Sequence, residues 1–159
     1  MDRALADPEL AACADEVLLA SRALLGVVAE SLSSVLEQVT LPQFRALVLL
    51  AGLGPTRIGA LAQRLGVHQS TFTRTTDRMV EAGIVRRVEN PHNRREVLVE
   101  ATPAGLAHVR EVTERRRREL ARILVRLDAG ERHAVREGLE AFTRAAGEPA
   151  AETLSVLGA

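Results

Sequence analysis

The sequence predicts a mainly α protein with a small β-hairpin. Three observations predict it. Apolar residues recur at helical spacing through most of the 159 residues. Between residues 84 and 100 the pattern changes to two short β-branched runs around a turn. Gly or Pro stands at nearly every change of element. The length favours one domain, or a compact core with helical extensions. An apolar content of 47% supplies a real core and excludes a mainly disordered chain.

The elements follow in order. Asp7-Pro8-Glu9 is a helix start, with a capping carboxylate and Pro at the first helical position. Leu10, Ala14, Val17, Leu18, Ser21, Leu25 and Val28 carry that helix to about Leu32. Thr40-Leu41-Pro42-Gln43 is a capping-box start for a second helix, Pro42 to Ala51, closed by Gly52 and Gly54-Pro55. A third covers Arg57 to Leu65 and ends at Gly66. A fourth runs from about Gln69 to Ala82 and stops at Gly83.

Ile84 to Glu89 and Glu96 to Glu100 then read as strands joined by the turn formers Asn90-Pro91-His92-Asn93. Thr102-Pro103 opens a long helix to about Leu127, and Asp128 to Glu131 caps a last one to about Ala146. The tail from Gly147 to Ala159 has no assignment. This order is that of a winged helix-turn-helix with terminal helices. The expected division is 37–102 for the winged unit, with 1–36 and 103–159 as a helical dimerisation region.

Charge supports a nucleic-acid surface. All 21 basic residues are Arg, balanced by 21 acids. From Arg57 to Arg95, eight Arg stand against Asp77, Glu81 and Glu89, a local charge of +5 that leaves −5 for the rest. A basic middle between acidic flanks suits a polyanion-binding surface on a separate scaffold. With Phe44, Phe72 and Phe142 as the only aromatic residues, base stacking on single strands has little to work with.

The fourth helix divides by face. Phe72, Thr76, Met79 and Val80 form a stripe able to pack on Ile58, Leu61 and Leu65. Gln69, Ser70, Thr73, Arg74, Asp77 and Arg78 fall on the other side. Amide, hydroxyl and guanidinium groups at a helix start suit the paired donors and acceptors of a major groove. An ordinary amphipathic helix has the same division, so the face alone does not decide.

Several motifs in order resemble the MarR (multiple antibiotic resistance regulator) transcription factors. Leu41-Pro42-Gln43-Phe44-Arg45-Ala46-Leu47 is similar to the family's second-helix opening. Ile58 to Val67 resembles its L-A-x-x-L-G-V helix. Ser70 to Arg74, Asp77-Arg78-Met79 and Gly83 to Arg87 resemble its recognition helix and first wing strand. Asn93 to Val99 and Thr102-Pro103-Ala104-Gly105 follow its wing and fifth-helix start.

The resemblance implies a homodimer whose winged units each contact half of a palindromic double-stranded operator. The apolar faces of the first and last helices fit this, since one small winged domain cannot cover them. DNA contacts are expected from Gln69, Ser70, Thr71, Thr73, Arg74, Arg78, Arg86, Arg94 and Arg95. A small amphipathic or aromatic ligand is expected between the dimer helices and the winged unit, with Leu24, Val28, Leu47 and Val109 as cleft residues. Two departures stand out. Asn90, His92 and Asn93 replace the family's wing acids, which predicts a wing that is looser or differently oriented. His68-Gln69 replaces the usual Ser-Pro of the recognition helix.

Other chemistry is weaker. Cys13 lies near the reactive cysteine of peroxide-sensing relatives, but those use tyrosines and this chain has none; a small packed hydrophobe is the plainer expectation. His68, His92, His108 and His133 show no metal-ligand spacing, so neither a metal nor another cofactor is expected. Arg115 to Arg118 interleave with Glu111, Glu114 and Glu119 as an ion-paired solvated face. No nucleophile elbow or phosphate loop suggests an enzyme. The longest uncharged run, Ala46 to Thr56, is too short to span a membrane, and Met1-Asp2-Arg3 does not open a signal peptide. The expected protein is a cytoplasmic DNA-binding regulator, a repressor released by ligand. The alternative is a helical protein-interaction module whose winged unit does not read DNA.

Overall fold

A computed structural model of the chain describes residues 7–91 and 93–147. Among the described residues six helices and three strands follow one another: α1 (Pro8–Leu32), α2 (Leu41–Leu53), β1 (Thr56–Arg57), α3 (Ile58–Leu65), α4 (Gln69–Glu81), β2 (Val85–Asn90), β3 (Asn93–Ala101), α5 (Pro103–Leu124) and α6 (Ala129–Ala145). The expected helices are present with ends shifted by a few residues. The unassigned tail lies outside the described residues from 148 onward, as do residues 1–6 and His92.

Caps fix where the helices begin. The Asp7 carboxylate accepts the N–H of Glu9 at 3.0 Å, satisfying a donor that has no partner within the helix. At α2, Gln43 Oε1 accepts the Thr40 N–H at 2.8 Å. At α6, Asp128 and Glu131 form a reciprocal capping box, both bonds 2.8 Å. Gly66 ends α3 in the left-handed conformation (φ 68°, ψ 33°), and Val67 N–H donates to Ala62 O at 3.0 Å. That turn, cheap only for Gly, swings the chain from α3 into α4.

The sheet has one more strand than the hairpin expected from sequence. Its order is β1-β3-β2, antiparallel throughout, with Arg57 opposite Leu98, and Arg86 opposite Glu100. Two residues at β1 are too few to show a period, so its pairing is purely tertiary.

One core joins the winged unit to the long helices. Leu47, Leu50, Leu61, Phe72, Met79, Ile84, Val85, Val99, Val109 and Val112 are buried in it. Burying each such side chain contributes about 1.5–3 kcal/mol. Val35 and Val39, in the turns after α1, also belong to it. The expected stripe of α4 is buried at Phe72, Thr76 and Met79 and half-buried at Val80.

The outer helices are different. No residue of α6 is buried, and α1 buries only Val27 and Ser31. Leu18 is 63% exposed, Leu25 68% and Phe142 52%, so these apolar faces have no cover among the described residues. Cys13 is also exposed rather than packed. No helix among the described residues is long and apolar enough to cross a membrane.

Candidate nucleic-acid interface

The recognition face is built by α4 standing on α3. Gln69, Ser70, Thr71, Arg74 and Arg78 are exposed, and among the described residues Arg74 and Arg78 make no ion pair. His68, the N-cap, makes no side-chain capping bond, which leaves the first-turn N–H groups facing outward for an acceptor such as phosphate. Thr73 is half-buried, not exposed as expected, and its hydroxyl donates to Gln69 O at 2.9 Å. Asp77 is half-buried too.

The wing stands beside this helix, held by charge. Arg87 on β2 pairs with Asp77 of α4, and Arg86 with Glu100 across the hairpin. Arg57 Nε contacts Glu96 Oε2 at 2.9 Å. Asn90 is buried, 6% exposed, and its Nδ2 donates to Glu96 Oε2 at 2.9 Å. The wing base has these contacts although the family's acids are missing. Asn90 uses its amide to grip a carboxylate from the opposite strand, and β2 and β3 stay paired as far as Asn90 and Asn93. Arg94 and Arg95 lie on β3.

Clefts open on the surface among the described residues. One, of about 520 Å³, separates α3 and the start of α4 from the wing, with Arg57, Gly59, Gln63, Gln69 and Glu96 on its walls. A methyl added at Gly59 would sit 3.2 Å from Gln69 Oε1, so the glycine lets that amide lie close against α3. Of these residues, only Gln69 is expected from the sequence as a DNA contact. Arg57 and Glu96 are 39 positions apart, and only the β1–β3 pairing brings them together. Another cleft, of about 310 Å³, lies between α1 and α5 and is polar, lined by Glu30, Ser31, Arg115, Arg118, Glu119 and Arg122.

The four expected ligand-cleft residues line neither. Leu47 and Val109 are buried in the packed core, Val28 is half-buried, and Leu24 is exposed on α1. On α5 the expected ion-paired face is present, with Arg115–Glu111 at 2.8 Å and Arg117–Glu114 at 3.0 Å. Among the described residues no group of three His, Cys, Asp or Glu could hold a metal.

A helix-turn-helix with an exposed polar recognition helix and a three-stranded wing defines a DNA-binding transcriptional regulator of the winged class. Residues 39–97 match the MarR family. The HTH-type transcriptional regulator YfiV of Bacillus subtilis is 32% identical over 107 residues, covering 67% of each chain. RV1404 of Mycobacterium tuberculosis has a crystal structure similar at a TM-score of 0.76 and 44% identity, over 85% of this chain and 92% of that one. A MarR family protein from Bacillus stearothermophilus gives a TM-score of 0.73 at 26% identity, over 89% and 98%. The chain belongs to the MarR family.

Proposed function

We propose that the protein is a homodimeric, sequence-specific regulator, a cytoplasmic repressor released from a palindromic operator by a small amphipathic or aromatic ligand. Residues 37–102 read DNA, and 1–36 with 103–159 form the dimer. The observation that carries the reading is the outward face of α4, where Gln69, Ser70, Thr71, Arg74 and Arg78 stand exposed beside a braced wing. Arg74, Ser70 and Thr71 meet base edges from the first turns, while Thr73, its hydroxyl bonded within the helix, lines the groove. Arg78 and Arg86 meet phosphates. Of the two wing arginines, Arg94 and Arg95, we assign the minor-groove contact to Arg95. The bare apolar faces of α1 and α6 support the dimer.

A binding selection on random duplexes tests this. A palindrome is the expected product, bound with an affinity that falls steeply as salt rises. Enrichment of nothing leaves the helical protein-interaction module, whose apolar interface need not respond to salt. The ligand reading rests on family membership, with Leu24, Val28, Leu47 and Val109 at the proposed cleft. It has its own check, because coupling is reciprocal. Operator must change the affinity for an apolar acid by the factor that the acid changes the affinity for operator. Equal ligand affinity with and without operator makes the protein a constitutive binder.

A further inference from the structure

We infer that the cleft between the recognition helix and the wing is a seat for a DNA phosphate, and that Glu96 holds it as an internal competitor in the free protein; this rests on the DNA-reading function proposed above. When a helix lies in the major groove and a wing in the neighbouring minor groove, the sugar–phosphate strand dividing the grooves must pass between them. The 520 Å³ cleft occupies that place, with Gln69 of α4 on one wall and Glu96 of β3 on another. Arg57, Gln63 and Gln69 offer it a guanidinium and two amides, all groups that donate to phosphate oxygens.

Glu96 is the exception. Its carboxylate already takes the place of an anion, 2.9 Å from Arg57 Nε. The Arg57 side chain is 64% exposed, so this pair is weak and open to exchange. Glu96 is less free to leave, because the buried Asn90 amide also holds Oε2 at 2.9 Å. An arriving phosphate therefore meets either an arginine already neutralised or a second anion beside it. Binding weakens on every sequence alike, since no base edge is involved. A lower sequence-blind affinity leaves base contacts a larger share of recognition.

Glu96→Gln removes the charge while keeping an oxygen for the Asn90 amide. We would measure the affinity of the full-length protein for its selected operator and for a scrambled duplex by fluorescence anisotropy over a range of salt. The variant should bind both about fivefold more tightly at low salt, and its log–log salt slope should steepen by about 0.9, the value of one arginine newly free to neutralise a phosphate. Arg57→Ala in the same background should remove that gain. Unchanged or weaker binding by a Glu96→Gln protein with wild-type thermal unfolding overturns the inference, as does a gain that survives Arg57→Ala. Should the variant not fold, the Arg57 Nε–H resonance of the wild type decides. It must move when duplex is added, and a stationary signal overturns the seat. Failure of the wild type to bind any duplex instead overturns the DNA-reading function itself.

Discussion

Gly105 of α5 lies directly against Ile84 at the start of the wing. A methyl group built on Gly105 would run into the Ile84 carbonyl oxygen and stand 2.8 Å from Leu47 Cδ2. Both obstacles are fixed, one as backbone and the other as fully buried core. Gly105→Ala should therefore cost about 3 kcal/mol, at the upper end of overpacking penalties. Thermal unfolding would register this as a fall of roughly 6–12 °C; an unchanged midpoint would show that α5 can shift at no cost.

Thr102 works at the same junction and should matter less. Its hydroxyl donates to Gly83 O at 2.6 Å and accepts the Gly105 N–H at 3.2 Å, capping α5 while holding the turn after α4. Thr102→Ala should cost about 1 kcal/mol, the usual value of a lost cap. Thr102→Ser keeps both bonds, so chemical denaturation should find it close to wild type.

The dimer prediction follows from the bare helices. Sedimentation at micromolar concentration should show one species of twice the chain mass, and a folded monomer would refute an obligate dimer. Phe142→Asp and Leu18→Asp place charges on those apolar faces and should each drive dissociation or aggregation. Deleting residues 1–32 should yield an aggregating or unfolded product rather than a clean winged domain, because Val27 and Ser31 are buried and lost with it.

The DNA contacts should divide by role. Arg74→Ala should cost about 1–3 kcal/mol on the operator and relax preference at one or two base positions. Arg95→Ala should weaken all sequences, most of all those with A·T-rich flanks, and reduce the salt slope by about one unit. Repeating the duplex selection with each variant separates the two outcomes. Equal, sequence-blind losses would refute the division.

Local signals made most of the fold legible. Asp7, Thr40 and Asp128 announce helix starts, Gly66 a stop, and the β-branched runs a hairpin, because each acts over a few residues. β1 was out of reach, since its two residues become a strand only by meeting Val99 and Leu98. The charge pattern misled in the same way. Counting from Arg57 to Arg95 leaves out Glu96 and Glu100, the two acids that cross-strand pairing sets against Arg57 and Arg86. Asn90 looked like a lost wing acid, yet its buried amide donates to Glu96, a bond that a carboxylate at this position could not make. The exposed recognition face, by contrast, was legible except at Thr73 and Asp77, because helical period alone separates it from Phe72 and Met79.

The 22 residues of α5 make a rod about 33 Å long at 1.5 Å per residue. At one end it is jammed against the wing through Gly105, and at the other it passes into the bare α6. With its wing end unable to slip, the rod is a lever. A tilt of about 5° at the α6 end would carry the wing and recognition helix through roughly 3 Å, close to the ~3.4 Å between successive base pairs. Small adjustments among the outer helices are thereby geared up to one step of the duplex ladder.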